Sequence, residues 1–185
     1  MASKREQILD AAIDLLGERG ARALTHRGVD ETAGAPLGST SNYFRTREAL
    51  LIGIAERLEH LDRGEWEPTA QVDGPPTLDD FVDAMARFVQ HATGPGRART
   101  LARLALFGEA QTMPALRDSL HRAHRRIRDH AIVLAATVGF DAADTGILVD
   151  YLDGVIVHRL SGAETGPDPR AALRRLVDAL RTDLS

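Results

Sequence analysis

An all-α protein is what this sequence predicts, and three observations carry that expectation. Apolar residues recur at three- and four-residue spacing along most of the chain. No run alternates apolar and polar residues like a half-buried strand, and no glycine-marked hairpin joins two such runs. Capping residues stand before the periodic segments, and glycine or proline punctuates their ends.

The elements follow in order. Ser3-x-x-Glu6 is a capping box, and Ile8, Ala12, Leu15 and Leu16 continue at helical spacing, so the spacing predicts a helix over about 4–19 that Gly20 stops. Thr25 caps a short helix with Val29 and Ala33, ended by Gly34. Pro36 opens another, over about 36–43. Thr46 caps a longer helix with Leu50, Leu51, Ile54, Leu58 and Leu61 on one side. Residues 64–77 read as a linker rich in Gly, Pro and polar residues, dividing a head (1–63) from a body (78–185). In the body, Thr77 caps a stripe of Leu78, Phe81, Val82, Met85, Phe88 and Val89. A helix from Arg97 to about Ala110 carries Leu101, Leu104 and Phe107, and Pro114 opens a long one ending near Gly139. Asp141-x-x-Asp144 starts a helix that is apolar nearly all round, which predicts burial on more than one side. Asp168-Pro169 starts the last helix.

Composition narrows the function classes. The 185 residues are 43% apolar, enough for a real core. The absence of cysteine excludes disulfides, thiolate metal sites and thiol nucleophiles. The N-terminal residues lack an apolar core followed by a cleavage site, and no apolar run reaches the ~18 residues of a membrane span, so a cytoplasmic protein with no membrane partner is expected. The net charge of −4 argues against a generally basic coat but leaves room for one local basic face. From Arg19 to Arg47 there are five arginines against two acids, Asp30 and Glu31, and that is such a face.

Within it, two short helices are joined by Gly34-Ala35-Pro36, a tight turn of helix-turn-helix type. Such a motif lays its second helix in the DNA major groove. Gly38 lets the backbone approach DNA, and the short polar side chains of Ser39, Thr40, Ser41 and Asn42 suit base edges. Tyr43 can give its hydroxyl to a phosphate while Phe44 anchors the helix. Arg47, in the first turn of the next helix, is a candidate phosphate contact, and His26 and Arg27 can reach the flanking backbone. Lys4 and Arg5 are either a solvated terminus or a disordered arm on phosphate. His121-x-x-His124, with His130 beyond, has metal-ligand spacing, but Arg122, Arg125, Arg126 and Arg128 would repel a cation; a solvated face, with no metal or other cofactor, is the expectation.

Residues 4–62 resemble the DNA-binding head of the tetracycline-repressor (TetR) family of bacterial regulators. The resemblance rests on the first helix, Gly20, Leu24-Thr25, Ala33-Gly34, Gly38-Ser39, Tyr43-Phe44 and Arg47-Glu48-Ala49-Leu50, in that order. It covers about a third of the chain; the body is similar to the family's ligand-binding and dimerisation domain only in its helix count and its apolar penultimate helix. The resemblance implies a homodimer built by the last two helices, with Leu148, Leu152, Ile156, Leu173, Leu176 and Leu180 at the interface, on double-stranded DNA with a near-palindromic operator. It also implies a small-molecule effector among Phe81, Met85, Phe88, Leu104, Phe107, Glu109 and Tyr151, with His91, Gln111 and His158 as weaker polar handles. Bound there, it would tilt the helix at 46–63 and release the operator, as in a repressor. This chain departs from the family at Leu37, where lysine or a polar residue is frequent, and at Thr40-Ser41, which replaces a frequent Leu-Tyr pair. Leu37 can touch a thymine methyl instead. The rivals are a helical interaction module, an activator without small-molecule induction, and an enzyme. The last has no support: the chain holds no Gly-x-Ser-x-Gly, phosphate loop or Glu-x-x-His pair, and no catalytic residue is expected.

Overall fold

The computed structural model describes residues 2–66, 76–162 and 168–182. Among them all regular structure is helical: α1 (Lys4–Arg19), α2 (His26–Thr32), α3 (Ser39–Tyr43), α4 (Arg47–Trp66), α5 (Leu78–Thr93), α6 (Arg97–Ala110), α7 (Pro114–Ala136), α8 (Ala142–Leu160) and α9 (Pro169–Thr182). Local chemistry sets most starts. Ser3 and Glu6 form the reciprocal capping box of α1, and Thr77 and Asp80 form that of α5. Thr25 accepts from the Gly28 amide at 3.0 Å, and the Asp141 carboxylate accepts from the Ala143 and Asp144 amides. Most of the expected linker at 64–77 lies outside the described residues.

Packing divides the chain into two compact units. One holds α1–α4, α6 and α7 as far as His124; the other holds α5, α7 from Arg125, α8 and α9. The division drawn from covalent order at 63/78 therefore differs from the division by packing. α6 shares the core of the head: Ala102 and Leu106 are 0% exposed among Ile8, Leu16 and Ile54. Gly17 permits the approach of α1 to α6, since a Cβ there would stand 2.1 Å from the Ala98 carbonyl oxygen. Polar ties reinforce this core. Arg57 donates to both Asp10 oxygens at 2.8 and 3.0 Å, and Arg103 of α6 donates to Asp62 of α4 at 2.7 Å. Lys4 and Arg5 belong to the first turn of α1, and the Arg5 guanidinium lies 5.2 Å from the Phe44 ring centroid, so the arm expected there is helix.

In the second unit α5 packs on α9 and α8 around Val82, Met85, Phe140, Leu148, Leu173 and Val177. Arg170 and Arg174 of α9 pair with Asp83 and Asp79 of α5. The expectation for the dimer face needs correction here. Leu148, Ile156 and Leu173 are 2%, 5% and 1% exposed, buried in the chain's own fold and out of reach of a second copy. Leu152, Leu176 and Leu180 are partly buried against the core. The apolar side chains of α8 that face outward are Ile147 and Val157.

Candidate nucleic-acid interface

α2 and α3 are joined through Ala33–Gly38, and one buried carboxylate organises the joint. Asp30, near the end of α2, accepts from the Gly38 amide at 2.7 Å, the Thr40 amide at 2.8 Å and the Thr40 hydroxyl at 2.5 Å. Gly38 adopts φ 89°, a left-handed conformation that suits glycine, and so turns the chain into α3. Burial pushes the Asp30 carboxyl up, but the Thr40 and Gly38 hydrogen bonds and the nearby His26 outweigh it and hold it below its ordinary value. The carboxylate thus remains ionised as the acceptor of all three bonds.

This lock decides which face of α3 looks outward. Thr40 is 0% and Phe44 3% exposed, so both point into the head, whereas Leu37 is 72% and Tyr43 47% exposed. Ser41 and Asn42 are exposed, and Ser39 is half-buried with its hydroxyl donating to the Pro36 carbonyl at 2.5 Å. The helix is shorter than the spacing predicts: Pro36 and Leu37 belong to the turn.

Several expected contacts serve the fold instead. Arg47 donates to the Leu24 carbonyl at 2.6 Å and the Ala21 carbonyl at 3.0 Å, and lies 3.2 Å from the Glu109 carboxylate. These donors brace α4 against the α1–α2 turn and α6, a structural role that the phosphate expectation did not include. Glu109 is for the same reason not a free polar handle for a ligand. His26 gives its Nε2 hydrogen to the Phe44 carbonyl at 2.7 Å, and Thr40 is sealed inside, so neither offers that group to DNA. Arg27 is exposed but forms an i,i+4 pair with Glu31 at 2.8 Å.

Sequence reasoning counted Arg45 and Arg22 in the basic face but gave neither a contact of its own. Both are exposed and make no hydrogen bond or ion pair among the described residues; Arg45 directly follows α3 and its anchor Phe44, and Arg22 lies in the connection before α2. It also gave Asp30 no role: of the two acids in the basic stretch, Glu31 pairs with Arg27 at the surface while Asp30 is turned inward onto the Gly38 and Thr40 donors, and only the packed chain tells them apart. The candidate effector residues divide between the units. Phe81, Met85 and Tyr151 belong to the α5–α8–α9 core, where Phe81 stacks on Phe140 at 5.9 Å; Phe88 of α5 is 38% exposed. Leu104, Phe107 and Glu109 lie on α6 of the first unit.

Similarity to known proteins agrees with this arrangement. Residues 8–54 match the family described as bacterial regulatory proteins, tetR family, and residues 76–183 match the tetracyclin repressor-like C-terminal domain. The chain is 28% identical over 130 residues to the HTH-type transcriptional regulator BetI of Rhizobium meliloti (strain 1021). That match covers 70% of this chain but 63% of BetI, less than two thirds of the relative's length. Among solved structures, a TetR-family member of Streptomyces coelicolor A3, SCO1917, is similar with TM-score 0.73 and 26% identity, over 94% of this chain and 98% of that one. The multidrug binding protein EbrR complexed with ethidium is similar with TM-score 0.67 and 28% identity, over 94% and 98%. No described helix is long and apolar enough to cross a membrane. With a buried carboxylate setting the helix-turn-helix joint and a C-terminal match that alone spans more than half the residues, the chain belongs to the TetR family, whose members are DNA-binding transcriptional regulators rather than enzymes.

Proposed function

We propose that this protein is a transcriptional repressor that inserts α3 into the major groove of a near-palindromic operator and leaves it when a small molecule binds. The observation that carries the DNA reading is the Asp30 lock. It fixes α3 with Thr40 and Phe44 inward, leaving Leu37, Ser41, Asn42 and Tyr43 on one rigid exposed surface. A backbone already held in place loses little freedom on meeting base edges, which favours recognition. Arg45 and Arg22, with the Tyr43 hydroxyl, hold the flanking phosphates, and phosphate contacts position the protein while base contacts specify.

Two copies associate through α8 and α9, using the outward Ile147 and Val157 together with the half-exposed Leu176 and Leu180. The effector binds the C-terminal domain near Phe81, Met85 and Tyr151, and Phe88 adds aromatic surface; the similar EbrR, a multidrug binding protein, forms a complex with ethidium. To shift the balance between DNA-competent and DNA-incompetent states a hundredfold, the effector needs a preference of about 2.7 kcal/mol for the latter.

Titration of DNA fragments from around the protein's own gene, across a range of salt, tests the DNA reading. Affinity should fall steeply with salt, because displaced counterions drive phosphate binding. Arg45→Ala should weaken every duplex about equally and reduce the salt slope by roughly one. Arg47→Ala should lower the melting temperature instead, since it removes a brace of the head. Salt-independent binding, or an unchanged slope in Arg45→Ala, would overturn this assignment.

A further inference from the structure

We infer that the operator is read at A·T pairs: Leu37 packs on a thymine methyl and Asn42 takes the N6/N7 edge of an adenine, with no arginine–guanine contact beneath α3. This rests on the DNA-binding reading above and goes beyond it by stating which bases are chosen.

The argument starts from what the exposed surface can and cannot offer. The commonest specific major-groove contact is arginine or lysine on the O6 and N7 of guanine. Between Ala33 and Phe44 the chain has neither residue. Arg27, on α2, is paired with Glu31, and Arg47 spends its donors on two carbonyls and Glu109. Arg45 follows the inward anchor Phe44 and so stands past the end of α3. Guanine therefore lacks its usual reader on this face.

What the face does offer favours the other pair. Leu37 is 72% exposed, yet its neighbour Gly38 is pinned to Asp30 at 2.7 Å, so the leucine is presented from a fixed turn. An apolar side chain in the major groove has one apolar group to meet on the bases, the C5 methyl of thymine. Asn42 is two residues beyond the buried Thr40, about 200° around the helix at ~100° per residue, so its carboxamide points away from the head. That carboxamide has no hydrogen-bond partner among the described residues, and its adjacent donor and acceptor match adenine N7 and N6. Ser39 has given its hydroxyl hydrogen to the Pro36 carbonyl, leaving lone pairs that can accept only from an amino group, adenine N6 or cytosine N4.

The test uses the full-length protein and single-atom changes in DNA. Bound duplexes are first selected from a random pool. In the selected site each thymine, in both half-sites together, is replaced by deoxyuridine, which lacks only the C5 methyl; each adenine is replaced by 7-deazaadenine, which lacks the N7 acceptor. At one thymine per half-site deoxyuridine should weaken the parent by about fourfold per contact, as expected for losing one buried methyl. Leu37→Ala should bind the thymine and deoxyuridine duplexes alike. At one adenine per half-site 7-deazaadenine should weaken the parent by about tenfold and leave Asn42→Ala indifferent. Both side chains are exposed, so neither substitution threatens the fold. Equal binding of thymine and deoxyuridine at every position, discrimination retained in Leu37→Ala, or selected sites with G·C pairs at the positions read by Leu37 and Asn42 would overturn the inference while leaving DNA binding intact. A pool with no enriched duplex would overturn the DNA-binding reading and this inference with it.

Discussion

Asp30 is a carboxylate with 1% exposure and three hydrogen bonds from the start of α3, so its charge is part of what sets the turn into α3. Hydrogen bonds to a charged group contribute about 1.5–3 kcal/mol each, and a donor left unsatisfied in the interior costs a comparable amount. Asp30→Asn should therefore lower unfolding stability at neutral pH by about 1.5–3 kcal/mol, measured by denaturant titration. The sign of the pH dependence follows from the lowered pKa. The charged form's contribution is complete above the ordinary value of 3.8 and is lost as pH falls through the lower folded-state value. The gap between parent and variant should accordingly narrow in acid. A gap that stays constant from neutral pH into strong acid would show that the carboxylate's charge does not hold the turn.

At the scale of elements, the contact between α1 and α6 sets two general effects against each other. Glycine inside a helix is about 1 kcal/mol less favourable than alanine, so propensity alone says that Gly17→Ala stabilises α1. The site says the opposite: the new Cβ would meet the Ala98 carbonyl oxygen at 2.1 Å and its carbon at 2.7 Å, and both are backbone atoms that cannot rotate away. Overpacking of this kind typically costs about 1–3 kcal/mol, which exceeds the propensity gain over most of its range. Thermal unfolding should show a lowered Tm for Gly17→Ala. A raised Tm would mean that α1 and α6 stand further apart than described. The Arg47–Glu109 pair joins α4 to α6 in the same unit, so movement of α6 would be felt at the helix that follows α3.

For the whole molecule, the question is what covers α8. Ile147 is 49% and Val157 41% exposed, ten residues and close to three turns apart, with Gly154 half-buried between them. Ten residues leave the two side chains about 80° apart around the helix with the exposed Asp150 between them, so a second copy of the same helix across a two-fold axis would meet both apolar groups and a carboxylate. Ile147→Glu and Val157→Glu should each place charge in that contact, and sedimentation should show monomer with the helical circular dichroism retained. Leu148→Glu should behave differently, unfolding the unit itself, because Leu148 is 2% exposed within it. Dimers that persist in both surface variants would move the interface off this face of α8.

Much of the fold is legible in the sequence because helix signals are local. Ser3–Glu6, Thr77–Asp80 and Asp141 each cap within three residues, and the structure starts α1, α5 and α8 where those residues stand. The helix-turn-helix is legible for the same reason: Thr25, Gly34 and Gly38 mark its turns in one short stretch. Partner choice is not local, and there the tertiary structure decides. Arg47 finds carbonyls 23 and 26 residues away, and His26 finds one 18 away; nothing in their neighbourhood announces that these groups serve the head. The same holds for α8. Periodicity reports that a helix is apolar nearly all round, but Ile147 and Leu148 differ by one residue and about 100° around the axis. Which of the two is buried depends on where α5 and α9 lie, and only the packed chain determines that.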